Sequence, residues 1–371
     1  MRDRVLVVGG GVIGLSCAWQ LARRGHDTIL VGTSPGRSGA AWVAAGMLAP
    51  VTEVQFGERT LTSLLLEGAS HWKDFATSLE ETTGRDIGYD QTGTITVAVT
   101  PSDRAVLLDL LAYQLQLGCT AHRRSVSECR TSVPALAPTL SGGIEVPDDH
   151  HVDNRALLSA LLEACRSAGV ELVEEEVMAL STDNGPTVTL TSGTRLGAST
   201  IVLAAGVGTA DIAGMEGLGL PEIRPVKGHI LRLGPFPGTP QLGRTVRGLV
   251  HGRSVYLVPR PDKTLVVGAT MEERGRDTTV QAGAVQQLLA DARTIVPGVD
   301  EMELLEASAG LRPSTADNRP CIGWTNVPGV MAAVGHFRNG ILLAPLTAHA
   351  VGSLLEGQSV SSTVTGLAPR P

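Results

Sequence analysis

Gly9, Gly11 and Gly14, in the run GGGVIG, are the first residues whose type and spacing suggest chemistry. The GxGxxG spacing has a mechanical reason. Its first glycine makes a tight turn, the second lets backbone approach a pyrophosphate, and the third lets a helix pack on a strand. A phosphate then rests on the helix N-terminus, where unpaired N–H groups and the helix dipole favour negative charge. With 44 glycines in 371 residues, the same letters also fit an ordinary glycine-rich turn. Context favours the nucleotide reading, because the apolar run Val5 to Val8 precedes the glycines and an amphipathic stretch reaches from them to Gly25.

The elements that must position this turn are a strand, a helix and a second parallel strand at Thr28 to Val31, the opening of a βαβ unit. A dinucleotide fold usually ends that second strand with an acid against the ribose hydroxyls. Here the residues are Val31, Gly32, Thr33 and Ser34, so Thr33 or Ser34 has to supply any ribose hydrogen bond. Helical spacing recurs at Leu61 to Leu79, Asp103 to Leu117, Asn154 to Ala168, Val280 to Val296 and Gly340 to Leu355. Strands are expected at Gly93 to Val99, Val170 to Val173 and Val330 to Val334. The segment IVLAAG at Ile201 to Gly206 reads equally as a strand ending beside a cofactor or as a buried strand with a turn. Between Arg224 and Gly268, the short runs HILRL, VYLVPR and TLVVGAT have antiparallel texture. The pattern is α/β: a two-domain, Rossmann-like nucleotide-binding fold with an inserted antiparallel-sheet substrate domain. Residues 1–88, 145–222 and 303–371 form the nucleotide side in this division, and 89–144 and 223–302 form the substrate side.

Bulk properties narrow the class. A net charge of −7 without a long basic run argues against a nucleic-acid partner. Val5 to Ala22 carries no charge, but three consecutive glycines argue against a signal peptide or membrane span. A cytoplasmic chain is expected. Cys17, Cys119, Cys129, Cys165 and Cys321 form no CxxC pair, so neither a zinc site nor a disulfide framework is expected.

Further segments carry a more specific signal: AAGMLAP at Ala44 to Pro50, VYLVPR at Val255 to Arg260, VVGATM at Val266 to Met271, GLRPSTADNRPCIG at Gly310 to Gly323, and GHFRNGILLAP at Gly335 to Pro345. In order and spacing, the chain resembles the glycine oxidases of the D-amino-acid oxidase family, the group that includes the thiamine-pathway enzyme. The resemblance implies FAD, a small amino acid such as glycine, sarcosine or D-alanine, and oxygen. It also implies hydride transfer from the substrate α-carbon to flavin N5, an imine that hydrolyses to glyoxylate and ammonia, hydrogen peroxide as co-product, and a homo-oligomer of tetrameric type.

The same resemblance implies roles for individual residues. Arg312 would clamp the substrate carboxylate, bidentate as a guanidinium permits. Tyr256 would add a hydroxyl to the same carboxylate, and Arg338 would lie near substrate and flavin. Gly9, Gly11, Val12, Ile13, Gly14 and Thr33 would hold the nucleotide half of the cofactor. Ala44, Ala45, Gly46 and Met47, with Val177, Ala205 and Gly206, would follow along its length. Asn339, Gly340, Ile341 and Leu342 would face the flavin pyrimidine, where a helix N-terminus stabilises negative charge. Met47, Ala49, Ser254 and Met271 would line the substrate pocket; His336 could serve beside the flavin as well, with a structural histidine the preferred reading.

Several positions depart from the family pattern. Ser254 stands where His can occur, Gly208 where Trp is frequent, and Ala41 and Trp42 where small hydroxyl residues are frequent. Related sarcosine oxidases attach flavin through a cysteine at a place where this chain has Leu311 and Arg312, so non-covalent FAD is expected. The departures motivate an alternative: a specialised-metabolism flavoprotein that oxidises glycine or its imine further. A non-catalytic Rossmann protein would explain the glycines but none of the later segments.

Overall fold

The computed structural model describes residues 4–183, 185–235, 237 and 241–369. Its first sheet has six strands in the order Cys321–Trp324, Val330–Val334, Thr200–Leu203, Arg4–Val8, Asp27–Val31 and Glu171–Val173. All neighbours are parallel except the antiparallel edge strand Cys321–Trp324. Both faces of a parallel sheet are covered, so its strands read as continuous apolar runs. Four of the five residues of Arg4–Val8, and all of Val330–Val334, are buried.

Helices Val12–Arg23, Asn154–Ser167 and Gly340–Leu355 pack together on one face of this sheet, joining one core with Trp19, Trp72 and Leu342. Trp72 Nε1 is buried there and donates to the Leu342 carbonyl at 2.8 Å. The stretch expected as one helix from Leu61 to Leu79 is two, Arg59–Ser70 and Trp72–Thr83, meeting at His71. Each presents its own apolar stripe to the core, so a single helical period fits both.

The second sheet has eight strands, in the order Glu303–Ser314, Arg224–Gly234, Leu265–Gly268, Arg253–Pro259, Thr245–Val250, Thr94–Ala98, Gly142–Val146 and His122–Arg124. It is antiparallel apart from the pairing of Thr245–Val250 with Thr94–Ala98. Two of its strands escape a reading of periodicity. Thr245–Val250 is interrupted by Arg247 and Gly248. Glu303–Ser314 is half-buried over most of its length, so its residues do not alternate between apolar and polar. Although the sequence division starts the nucleotide side at 303, this strand is hydrogen-bonded along Arg224–Gly234 in the eight-stranded sheet.

The turn after the first strand shows why glycine stands at its ends. Gly9 has φ +119°, and a Cβ there would meet the Ala204 carbonyl oxygen at 2.3 Å. A Cβ at Gly14 would sit 1.8 Å from the Gly9 carbonyl oxygen, with backbone on the other side of the contact. We therefore expect Gly14→Ala to cost about 3 kcal/mol, the upper range for overpacking where backbone has to shift. Urea unfolding measures this. A midpoint equal to that of the wild type would show that turn and helix separate freely.

Candidate active site

A cavity of about 460 Å³ lies between the two sheets, where the strand ends Val8, Val31, Ala204 and Val334 meet the substrate-side residues Ile230, Tyr256 and Arg312. Two helix N-termini open onto it. Gly11 is the N-cap of Val12–Arg23 and gives no side-chain cap; a Cβ placed there would meet nothing within 4 Å. Asn339 precedes Gly340–Leu355 and also gives no side-chain cap. Its Nδ2 is buried without a hydrogen-bond partner. An uncapped N-terminus leaves up to four backbone N–H groups without an intrahelical acceptor. Both ends of the cavity are therefore built to receive negative charge or acceptor atoms.

The backbone between these helices is held from outside. Asn154 Nδ2 donates to the carbonyls of Ala41 and Trp42 at 2.7 and 2.9 Å. Arg260 Nη2 donates to the Ala45 carbonyl at 2.6 Å and to Asn154 Oδ1 at 3.1 Å. Burial pushes the pKa of the Arg260 guanidinium down to about 10, which still leaves it charged at neutral pH. In VYLVPR, then, the tyrosine lines the cavity, while the arginine fixes the Ala44 to Met47 segment that forms its wall.

Three arginines line the cavity, and their partners differ. Arg338 Nε pairs with Glu53 Oε2 at 2.5 Å, and its Nη2 lies 3.4 Å from Glu58 Oε2. Arg247, which is buried, pairs with the other oxygen of Glu53 and donates to Thr52 Oγ1 at 3.1 Å. Arg312 has no carboxylate within ion-pair distance among the described residues. Its Nη1 donates only to the carbonyls of Lys227 and Thr270, at 3.3 and 3.2 Å. The guanidinium lies flat over Gly228, where a Cβ would sit 2.3 Å from Nη2. Tyr256, half-buried on strand Arg253–Pro259, has its pKa raised by desolvation against the pull of Arg312.

The segment carrying Glu53 is pinned from below by Asp149, which accepts from the backbone N–H of Val51 and Thr52 at 2.8 and 2.9 Å. Burial pushes the Asp149 pKa up to about 6, outweighing those hydrogen bonds. Burial also acts to raise the Glu53 pKa, yet Arg247 and Arg338 together outweigh it and lower the value from 4.5 to about 2.

The structure brings almost all the sequence-derived site residues to one cavity. Gly9, Gly11, Val12, Ile13, Thr33, Ala44, Ala45, Gly46, Met47, Val177, Ala205 and Gly206 line it. So do Ala49, Ser254, Tyr256, Met271, Arg312, Arg338, Asn339, Gly340, Ile341 and Leu342. Gly14 sits behind the lining, packed on Gly9. Met271 and Ser254 are exposed at the rim. His336 is buried, bonded through Nε2 to Thr347 Oγ1 at 2.9 Å, and burial lowers its pKa to about 3, so it stays neutral. No cysteine lines the cavity among the described residues, and Cys321 is in the core. Glu53, Arg247 and Gly228 are the residues that sequence reasoning missed. The charges of Glu53 and Arg247 were visible, but nothing local marked them as partners.

The family described as FAD dependent oxidoreductase matches residues 4–354. The chain belongs to that family. It is similar to the glycine oxidase of Geobacillus kaustophilus (strain HTA426), with 34% identity over 99% of this chain and 96% of the relative. It is also similar to the bifunctional protein ThiO/ThiG of a Nostoc species, with 32% identity over 96% of this chain and 53% of the relative. The crystal structure of glycine oxidase from Geobacillus kaustophilus shares the fold, with a TM-score of 0.90 at 32% identity and 99% of both chains covered.

The residues present fit FAD, the cofactor of this oxidoreductase. The open space at Gly11 admits a pyrophosphate against backbone, and the unpartnered Asn339 Nδ2 offers a donor at the far end. FAD supplies a two-electron acceptor that oxygen can reoxidise.

Glu53 gives the oxidoreductase a defined acid sensitivity. Its folded-state pKa is below its unfolded value, so the two ion pairs contribute stability that is complete above pH 4.5 and lost as pH falls towards 2. The difference corresponds to about 3 kcal/mol. Glu53→Gln should lose about that much at pH 7 and roughly half as much at pH 3, as read by urea unfolding at the two values. An equal loss at both would remove the ionised pairs as its cause.

Proposed function

We propose that this FAD dependent oxidoreductase is a glycine oxidase, converting glycine, oxygen and water to glyoxylate, ammonia and hydrogen peroxide. The observation that carries the reading is the unpaired Arg312. Of the three arginines lining the reacting end, two share Glu53, so only Arg312 offers a guanidinium to a substrate carboxylate. Tyr256 lies beside it for a second hydrogen bond. Met47 and Ala49 line the same cavity, and the reading takes a small substrate such as glycine and extends to sarcosine or D-alanine. In this division of labour, the six-stranded sheet holds the dinucleotide and the eight-stranded sheet presents the substrate. The similarity to glycine oxidases supports the same substrate class, and that to the ThiO/ThiG protein supports a place in the thiamine pathway. The reading extends to a cytoplasmic homo-oligomer with dissociable FAD. Sedimentation of the purified protein measures its assembly.

The chain's own residues bind and orient. Arg312 and Tyr256 fix the carboxylate, which leaves the α-carbon and amine to face the cofactor. Removal of a hydride is easier from a neutral amine than from an ammonium. No described residue lining the reacting end is a base matched to neutral pH: Glu53 is held as a paired carboxylate with a pKa of about 2, and His336 is buried and bonded to Thr347. The substrate amine therefore has to lose its proton to water.

Two outcomes test the reading. Arg312→Ala should lower kcat/KM for glycine by two to three orders of magnitude, in line with the roughly 3–4 kcal/mol expected on removing one partner of a desolvated charge pair, and leave the flavin absorption spectrum unchanged. Unaltered kinetics would remove the clamp. The pH profile of kcat/KM for glycine should rise with pH and follow the substrate amine; a break near pH 6 to 7 would reveal a protein base.

A further inference from the structure

The acid that dinucleotide folds place against the adenosine ribose is missing from position 32, and the structure shows why it cannot be there. A Cβ at Gly32 would lie 2.5 Å from the backbone nitrogen of Gly10. The loop after the second strand folds back onto the same turn: Gly36 N donates to the Gly10 carbonyl oxygen at 2.8 Å, and a Cβ on Gly10 would meet Pro35 Cα at 2.8 Å. With the Gly10 backbone nitrogen where its Cβ would lie, position 32 has no space for a side chain. The residue that usually carries the ribose acid has been traded for close packing of the phosphate turn.

The carboxylate has a second source nearby. Strand Glu171–Val173 pairs with the second strand, and Gly32 N donates to the Val173 carbonyl at 3.0 Å. Three residues further on, Glu176 joins the cavity lining, at the end where Val31, Gly32, Thr33 and Val177 also line it. The two acids before it are engaged: Glu174 with Arg37, and Glu175 with Ser192. Glu176 has no side-chain hydrogen bond or ion pair among the described residues. The other acid of the lining is Glu53, which is committed to Arg247 and Arg338 at the far end.

We propose that Glu176 replaces the missing acid and accepts hydrogen bonds from the ribose hydroxyls of the FAD adenosine half. The inference rests on FAD binding alone and is independent of which amino acid is oxidised. The acid then comes from the loop after Val173 instead of from the second strand. Hydrogen bonds to a charged acceptor are strong enough for one such residue to set a measurable share of affinity.

Glu176 is exposed, so Glu176→Ala should fold normally. Dissociation constants of the full-length apoprotein can be read from flavin fluorescence for FAD and FMN, and by competition for ADP and 2′-deoxy-ADP. We expect Glu176→Ala to bind FAD and ADP about tenfold more weakly and FMN as the wild type does. The wild type should prefer ADP over 2′-deoxy-ADP, and the variant should not distinguish them. Adding Gly32→Glu to Glu176→Ala should not recover affinity. FAD affinity within twofold of the wild type, equal weakening for FMN, or no wild-type preference for ADP over its deoxy analogue would overturn the proposal. Recovery through Gly32→Glu would overturn the packing argument beneath it.

Discussion

Three arginines converge on one end of the cavity, and the state of that end depends on a single carboxylate, Glu53, shared between two of them. A buried charge is costly unless paired, so Arg247 and Arg338 could not both stand there without it. Glu53 pairs with both, with Glu58 beside Arg338 as well, and among the described residues Arg312 is the lining arginine left without a carboxylate. It also ties the Val51 to Glu58 segment to the eight-stranded sheet and to the turn before the closing helix. The segment is anchored from the other side by Asp149. The pairing of the two arginines and the fixation of the loop beside them are thus one electrostatic arrangement.

The cofactor end relies on backbone. Both helices that open onto the cavity lack side-chain caps, and the N–H groups left over are what a pyrophosphate and an electron-rich ring require. The approach of Gly14 to Gly9, of Gly9 to Ala204 and of Gly32 to Gly10 places these groups within reach of a ligand. Such contacts allow no side chain, so these close approaches are made by residues that have none. The wall between the two ends is held by Asn154 and Arg260, whose hydrogen bonds go to carbonyls of the 41–45 segment.

Much of this was legible in the chain. The glycine turn was readable because close backbone approach demands one residue type, and the closing helix Gly340–Leu355 was placed to the residue. Buried parallel strands announced themselves as apolar runs. Strand Glu303–Ser314 did not, although it carries Arg312, because a strand half-buried along its length shows no period. Thr245–Val250 was hidden by Arg247, the residue that makes it important.

By itself, the sequence determined the family, the phosphate cradle and the candidate arginines, since these depend on local backbone geometry and on motifs of adjacent residues. The tertiary structure decided which lining arginine has no carboxylate partner among the described residues and which acids line the cavity. Glu53 meets Arg247 across 194 residues and Arg338 across 285. Periodicity reports whether a residue is buried but cannot say against what. The charge that a buried guanidinium leaves for a substrate is fixed only when the folded chain has brought its partner to it.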